Sequence, residues 1–328
     1  MDISVVVPAY NAAPTIGACL EGLLAQSVPR HRYEVIVVDD GSDDQTGEIV
    51  AGHGVCLVTQ PHQGPARARN RGVAEARGEI VLFTDSDCVP ANDWIGQMVM
   101  PFGDPEVVGV KGIYRTRQKG ILPRFVQCEY EERYARMARL RQIDFIDTYA
   151  AGYRREVFLE QGGFDIRYRS LSVEDQEFSF RLAERGYKMI FNPQAVVYHQ
   201  HPRTVGAYFK RKFNIGYWKV MVLQRHPRKA VSDSHTPQSL KVQMGVVLLL
   251  IPVVGLVVLT GLVLPALVAA ILYAVSVLPF VIRTLPRDPF VALLSPILLF
   301  VRAVALGCGM LKGVWDLAFR RKVMGSDA

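Results

Sequence analysis

Two acids separated by one residue, Thr84-Asp85-Ser86-Asp87, close an apolar run and are the sharpest chemical feature of the chain. Hard carboxylate oxygens at that spacing suit Mg2+ or Mn2+ and can also meet a ribose or phosphate; taken alone, the same tetrapeptide is an Asp-rich turn that caps the next segment. A second acidic turn, Asp39-Asp40-Gly41-Ser42, can accept a hydrogen bond from a base N–H, or can be a strand-to-helix turn with Asp43 as N-cap. Between them, residues 64–72 place Arg67, Arg69 and Arg71 on a helix. The planar guanidinium fork suits phosphate, and a solvated basic face is the ordinary alternative. Ser172-Val173-Glu174-Asp175 opens another helix, where a carboxylate can serve a cleft as general base or Ser172 and Asp175 can form a capping box. His199, followed closely by His201, offers nitrogen to a metal. Gly52-His53-Gly54 begins a G-x-G-x-x-G that Leu57 breaks, which disfavours a dinucleotide oxidoreductase.

These groups need a scaffold. Residues 3–7, 33–38, 55–58 and 79–83 read as strands, with helices near 15–26, 46–51 and 65–76 between them. Continuous apolar strands alternating with helices indicate an α/β fold with a parallel sheet covered on both faces, which takes ligands beyond its carboxyl ends. Those ends read Pro8-Ala9-Tyr10-Asn11, Asp39-Asp40, Thr59-Gln60 and Thr84-Asp85-Ser86-Asp87, so polar clusters converge on one edge. After residue 106 the alternation loosens: a strand at 107–112, a long helix over 123–141, a Gly162-Gly163 turn, a helix at 173–184 and a short strand at 195–198.

The 328 residues carry 38 Lys and Arg against 31 Asp and Glu, a formal net charge of +7, with 50% hydrophobic and 21% charged residues. That excludes a disordered or fibrous chain. The positive mean hydropathy comes from apolar residues that accumulate after 243, so a soluble domain precedes a membrane region. Cys19, Cys56, Cys88, Cys128 and Cys308 are scattered without a C-x-x-C pair, which argues against a disulfide framework and a structural zinc site. No basic and aromatic tract of the nucleic-acid-binding kind recurs. The first strand begins without a secretory signal, so the expected place for the chemistry is the cytoplasm.

Arg203, Lys210, Arg211, Lys212, Lys219, Arg225, Arg228 and Lys229 sit just ahead of the apolar region, where such cations pair with anionic lipid and mark the cytoplasmic side. Residues 204–220 fit a helix in the membrane interface, with a surface helix packed on the domain as the alternative. Residues 244–264 and 266–282 are long enough to cross, returning Arg283 and Arg287 to the cytoplasm. A full crossing by 290–311 would place Lys312, Arg320, Arg321 and Lys322 outside, and Pro296 and Arg302 interrupt it, so that stretch is expected to be re-entrant or interfacial, with three spans as the alternative.

The runs VVVPAYNAAPTI, VIVVDDGSDDQT, GPARARNRGVAEARGEIVLFTDSDC, GGFD and VEDQEFSFRLAERGYKMIFNPQAVVYHQH, in this order, resemble glycosyltransferase family 2 over residues 1–205. The resemblance implies a GT-A fold, with a nucleotide-sugar-binding half (1–105) and an acceptor and catalytic half (106–203), ahead of the juxtamembrane segment (204–243) and membrane region (244–328) read from composition. It implies inverting transfer from a nucleotide-diphosphate sugar, UDP by default, with Mn2+ or Mg2+. By position, Pro8, Ala9, Tyr10, Asp39 or Asp40, and Arg69 would contact base and ribose. Asp85, Ser86 and Asp87 form the D-x-D, with Asp87 as metal ligand. Asp175, beside Glu174, matches the catalytic base, and His199 the histidine that completes the metal site, with His201 as the alternative. The Q-x-x-R-W run of processive synthases is missing, and the apolar region is short for a polymer channel, so a non-processive enzyme of the cytoplasmic membrane is expected. A retained base favours a hydroxyl on a lipid-linked glycan, in cell-surface polysaccharide or glycolipid synthesis, over a polyprenyl phosphate. A nucleotidyltransferase would need a Gly- and Lys-rich first loop, and a non-catalytic scaffold would have lost Asp85, Asp87, Glu174 and Asp175.

Overall fold

A computed structural model describes residues 2–168 and 173–319. Ser172 of the expected capping box and the cations Arg320, Arg321 and Lys322 lie outside the described residues. The chain forms two units, residues 1–117 with 134–200, and residues 118–133 with 201–328.

In the first unit, β1 (Ile3–Ala9), α1 (Ile16–Leu24), β2 (Tyr33–Asp39), α2 (Thr46–Ala51), β3 (Cys56–Thr59), α3 (Pro65–Glu75) and β4 (Ile80–Phe83) follow the expected alternation. Their strands pair in parallel, with β1 between β2 and β4 and Ala9 level with Asp39. β1 is buried along its whole length, as a strand covered on both faces must be. Beyond it come β5 (Cys88–Pro90), α4 (Trp94–Val99), β6 (Val107–Arg115), the end of α5 (Ile121–Met137), β7 (Ala151–Arg154), α6 (Arg155–Glu160), α7 (Glu174–Glu184) and β8 (Lys188–His199). The eight strands make one mostly parallel sheet in the order β3-β2-β1-β4-β7-β6-β8-β5, with β7 and β5 running antiparallel to their neighbours.

Several elements differ from expectation, among them β5, α4, α6 and β7, which the sequence reading did not contain. β7 is too short, and too rich in Gly and Arg, to read as a strand. β8 runs twelve residues because register shifts in its pairing with β6 carry it past Asn192 and Pro193. Asp43 does not cap α2; Asp44 Oδ1 takes the N–H and hydroxyl of Thr46 instead.

In the second unit the first turns of α5 pack with α8 (Val205–Arg225), α9 (Gln238–Thr260), α10 (Leu264–Thr284) and α11 (Pro289–Phe319). α10 and α11 are long and apolar enough to cross a membrane, and α9 would be a third span if its two halves, bent by 41° next to Pro252, count as one. The stretch expected to be re-entrant or interfacial is thus one continuous helix of 31 residues, about 46 Å long. Two local devices make this possible. Pro296 cannot donate to the Ala292 carbonyl, and the Ser295 hydroxyl takes it at 2.8 Å. Arg302 is buried at 2% exposure, where its Nη atoms meet Glu129 of α5 and Gln243 of α9, each at 2.8 Å.

Glu129 also accepts from Tyr208 and Lys212 of α8. Lys212 is therefore buried in an ion pair rather than turned to lipid headgroups. Burial alone would push the Glu129 carboxyl up, but the charges of Lys212 and Arg302 outweigh it and hold it at about 2. α8 lies against α11 almost backbone to backbone; a Cβ at Gly309 would come 2.1 Å from the Phe213 carbonyl oxygen. Glu129→Gln leaves two buried cations short of a counter-charge and is expected to cost about 3–5 kcal/mol in thermal unfolding in detergent. Glu131→Gln, which breaks the exposed 3.1 Å pair with Arg287, should cost at most about 1 kcal/mol. Equal losses would show that the buried cluster carries no special weight.

Candidate active site

The carboxyl ends of β1, β2 and β4 lie on one edge of the sheet because the three strands are parallel and in register. Pro8 and Ala9 end β1 and are buried, and Tyr10 follows, 48% exposed, with its ring stacked 4.0 Å from that of His62. His62 was not legible as a site residue; no motif marks it, and it reaches Tyr10 only because the loop after β3 folds back. Asp40 makes that fold-back. Its carboxylate accepts from Gln60 Nε2 and from the N–H groups of Gln63 and Gly64, and lies 3.0 Å from His62 Nδ1. Gly41 adopts φ +78 there, and a Cβ would stand 2.7 Å from the His62 nitrogen. Asp39 engages Ser42 through Oδ1, and its Oδ2 has no hydrogen-bond partner among the described residues. Of the two acids of this turn, Asp40 is consumed by the loop and Asp39 is available.

Asp85 and Ser86 follow β4 half-buried, and Asp87 is exposed. Asp85 does not face solvent as a simple ligand; its Oδ1 takes Nη2 of Arg69 at 2.8 Å, and Nη1 of the same guanidinium donates to Glu174 at 2.7 Å. Arg69 was expected at the donor's base, ribose and phosphate. It is instead 1% exposed, and both Nη atoms are committed to carboxylates. Burial works against its charge, but Asp85 and Glu174 more than compensate and hold it protonated. Arg67 and Arg71, on the other side of α3, line an open cleft of about 530 Å³ with Gln60, Gln63 and Asn70. Asn70 clamps the glycine turn, exchanging two hydrogen bonds with Phe164 while Gly163 sits at φ +64.

Glu174 and Asp175 begin α7 with different surroundings. Glu174 is buried against Arg69 and accepts from the Val173 N–H. Asp175 is half-buried and accepts N–H groups from Gln176 at 2.7 Å and Thr148 at 3.3 Å. Burial, followed by the Glu174 charge, pushes its carboxyl up to about 7 despite Arg69 and those donors. The segment that supplies the Thr148 N–H is anchored by an ion pair between Asp147 and Lys111, which is buried on β6.

His199 ends β8 opposite Cys88 of β5. Its Nδ1 is 3.4 Å from Asp87 Oδ1, and its ring stacks on Tyr114, which stacks on Tyr149. An exposed carboxylate and an imidazole facing each other form a donor pair that fits a divalent cation. His201, the alternative histidine, belongs to the second unit, with Nε2 at 3.1 Å from Gln127. Cys88, which carries no sequence pattern of its own, lies beside the Asp87 and His199 pair. Burial, reinforced by Asp87 and Asp85, raises its thiol well above the ordinary range.

This sheet, with acids gathered on its carboxyl edge and a second acidic helix joined to them through Arg69, is that of a GT-A glycosyltransferase. The model of glycosyl transferase family 2 matches residues 4–162. The chain is 28% identical over 233 residues to glycosyltransferase AglE of Haloferax volcanii, covering 67% of this chain and 73% of that one. It is 30% identical over 241 residues to the pre-mycofactocin glycosyltransferase of Mycobacterium tuberculosis, covering 70% of this chain and only 49% of that protein. The chain thus spans about half the length of that second relative. Among solved structures, the mannosyltransferase PcManGT of Pyrobaculum calidifontis, in complex with GDP-Man and Mn2+, superposes with a TM-score of 0.62 at 22% identity, over 96% of this chain and 87% of that one. The likeness shows a shared fold.

Proposed function

We propose that this chain is an inverting, non-processive glycosyltransferase of the cytoplasmic membrane, anchored by its apolar helices with the first unit in the cytoplasm. It moves a sugar from a nucleotide-diphosphate donor onto a hydroxyl of a lipid-linked glycan, in cell-surface polysaccharide or glycolipid synthesis. One observation carries this reading: Arg69 ties the D-x-D acid Asp85 to Glu174, whose neighbour Asp175 is raised to about 7. That joins a donor-binding edge to a base tuned for the pH of the cytoplasm.

In this reading the nucleotide lies over the ends of β1 and β2. Tyr10 stacks on the base, Asp39 Oδ2 accepts a base N–H, and the Pro8-Ala9 backbone borders the ribose. Asp85 and Ser86 lie beside the ribose and diphosphate. Asp87 and His199 hold a divalent cation, Mn2+ or Mg2+, which when bound offsets the charge growing on the diphosphate as the anomeric bond breaks. PcManGT is in complex with Mn2+ and GDP-Man, which supports the use of a divalent cation. Asp175 takes the proton from the acceptor hydroxyl as that oxygen attacks from the face opposite the leaving group, giving inversion. A phosphate acceptor has no such proton to give, so a base of this kind favours a hydroxyl.

Detergent-purified protein melted with UDP, GDP or dTDP tests the donor half of the reading. One nucleotide should raise the melting temperature by about 5–10 °C at a hundredfold excess over Kd, and only with Mn2+ or Mg2+. Asp87→Ala should lose that response. A folded protein that shows no metal-dependent shift with any of the three would overturn the reading in favour of a non-catalytic scaffold. Label from the matching nucleotide sugar appearing in a mild-acid-labile monosaccharide lipid would point to a polyprenyl phosphate acceptor instead.

A further inference from the structure

Cys88 is fully buried, and its place at the start of β5, in antiparallel register with His199, puts the two side chains on one face of the sheet. Its Sγ lies 3.7 Å from Asp87 Oδ1 and 3.9 Å from His199 Nδ1, and the latter two atoms are 3.4 Å apart. These separations can be set against what one cation needs. Metal bonds of about 2.3 Å to sulfur, 2.0–2.1 Å to nitrogen and 2.0–2.2 Å to oxygen, at tetrahedral angles, give ligand-to-ligand edges of about 3.6 Å (S to O and S to N) and 3.4 Å (N to O). The triangle in the protein already matches those edges to within a few tenths of an ångström, with no movement of the backbone.

We propose that Cys88 is a third protein ligand of the cation site, so that the site, besides the Mn2+ or Mg2+ held by Asp87 and His199, also takes a borderline-soft cation of the Zn2+, Co2+ or Cd2+ class through its sulfur. The inference rests on the reading above that Asp87 and His199 face the donor's metal. Thiolate sulfur is a soft ligand that favours these ions, whereas an oxygen-only set favours Mg2+ and Mn2+. Binding breaks the S–H bond, forms the metal–sulfur bond and releases the proton to water; no electron is transferred. Three protein ligands leave a tetrahedral ion one open position, as in catalytic sites, and a diphosphate oxygen of the donor is the group that fits it.

Cobalt makes the sulfur visible. The full-length protein in detergent, stripped of metal by a chelator and titrated with Co2+, should develop a near-ultraviolet sulfur-to-cobalt charge-transfer band. Cys88→Ser should lose the band and still bind cobalt by equilibrium dialysis, and Cys19→Ser should keep it. Cd2+ affinity should fall in Cys88→Ser by at least the roughly 10- to 100-fold that accompanies loss of an outer-shell partner of a metal, with Mn2+ affinity nearly unchanged. Cobalt bound to wild type without the band overturns the assignment of Cys88, leaves the functional reading standing, and needs no variant to fold. A band that survives in Cys88→Ser does the same. Failure of wild type to bind any divalent cation overturns both.

Discussion

Asp175→Asn is expected to cut kcat by about 10²- to 10⁴-fold, the contribution of a positioned general base, with the metal-dependent nucleotide shift nearly unchanged. The amide can keep the hydrogen bond from the Thr148 N–H through its oxygen but cannot take a proton. The base must be ionised to work, so wild-type activity should rise with pH through about 7. Glu174→Gln removes the like charge that helps to raise Asp175, so the acid limb of its residual activity should move to lower pH. A limb that does not move, or an Asp175→Asn enzyme with full kcat, would remove Asp175 from the chemistry. Stability adds an independent check. The folded-state pKa lies above the ordinary 3.8, so the folded protein keeps a proton that the unfolded chain releases. The stabilising contribution is complete below about pH 4 and lost as pH rises through about 7. At pH 8 Asp175→Asn should therefore melt higher than wild type, as expected where a site keeps a strained acid for function.

Local chemistry in the sequence singled out Asp39, Asp85, Asp87, Asp175 and His199 as candidates, because each follows a strand or opens a helix in a short polar run. What was not legible came from pairings far apart in the chain. Cys88 and His199 meet only because β5 pairs with β8, of which only residues 195–198 were read as strand. His62 joins the site through the loop that Asp40 gathers, and Tyr114 through stacking across β6. Arg302 looked like an obstacle to a helical span, since its partner Glu129 lies on a helix that the chain leaves for more than sixty residues before it enters the second unit again. Composition placed the apolar helices but could not assign charges whose partners lie elsewhere. The same limit explains why Arg69 read as a phosphate ligand: the Arg-x-Arg-x-Arg pattern shows which residues share a helix, and only the fold shows that one of the three points inward.

Arg69→Met should cost the first unit about 3–5 kcal/mol, a drop of roughly 10 °C in melting temperature, and abolish transfer. Two carboxylates lose their cation, and their exposure decides which loss matters. The Asp85 side chain is 26% exposed and can be rehydrated; Glu174, at 3%, cannot. Most of the penalty should therefore come from Glu174, and adding Glu174→Met to Arg69→Met should recover most of the stability by removing the stranded charge. Activity should not return, because the ion pairs from Arg69 fix the turn after β4 and the start of α7 to each other, and hence the proposed donor edge to the proposed base. Arg69→Lys separates charge from geometry. A single ammonium keeps the charge but cannot reproduce the two divergent Nη contacts, so stability should be partly retained while kcat falls. An Arg69→Lys enzyme equal to wild type in both would mean that charge alone is needed there. A double variant as unstable as Arg69→Met would show that the helix, rather than the ion pairs, depends on this residue.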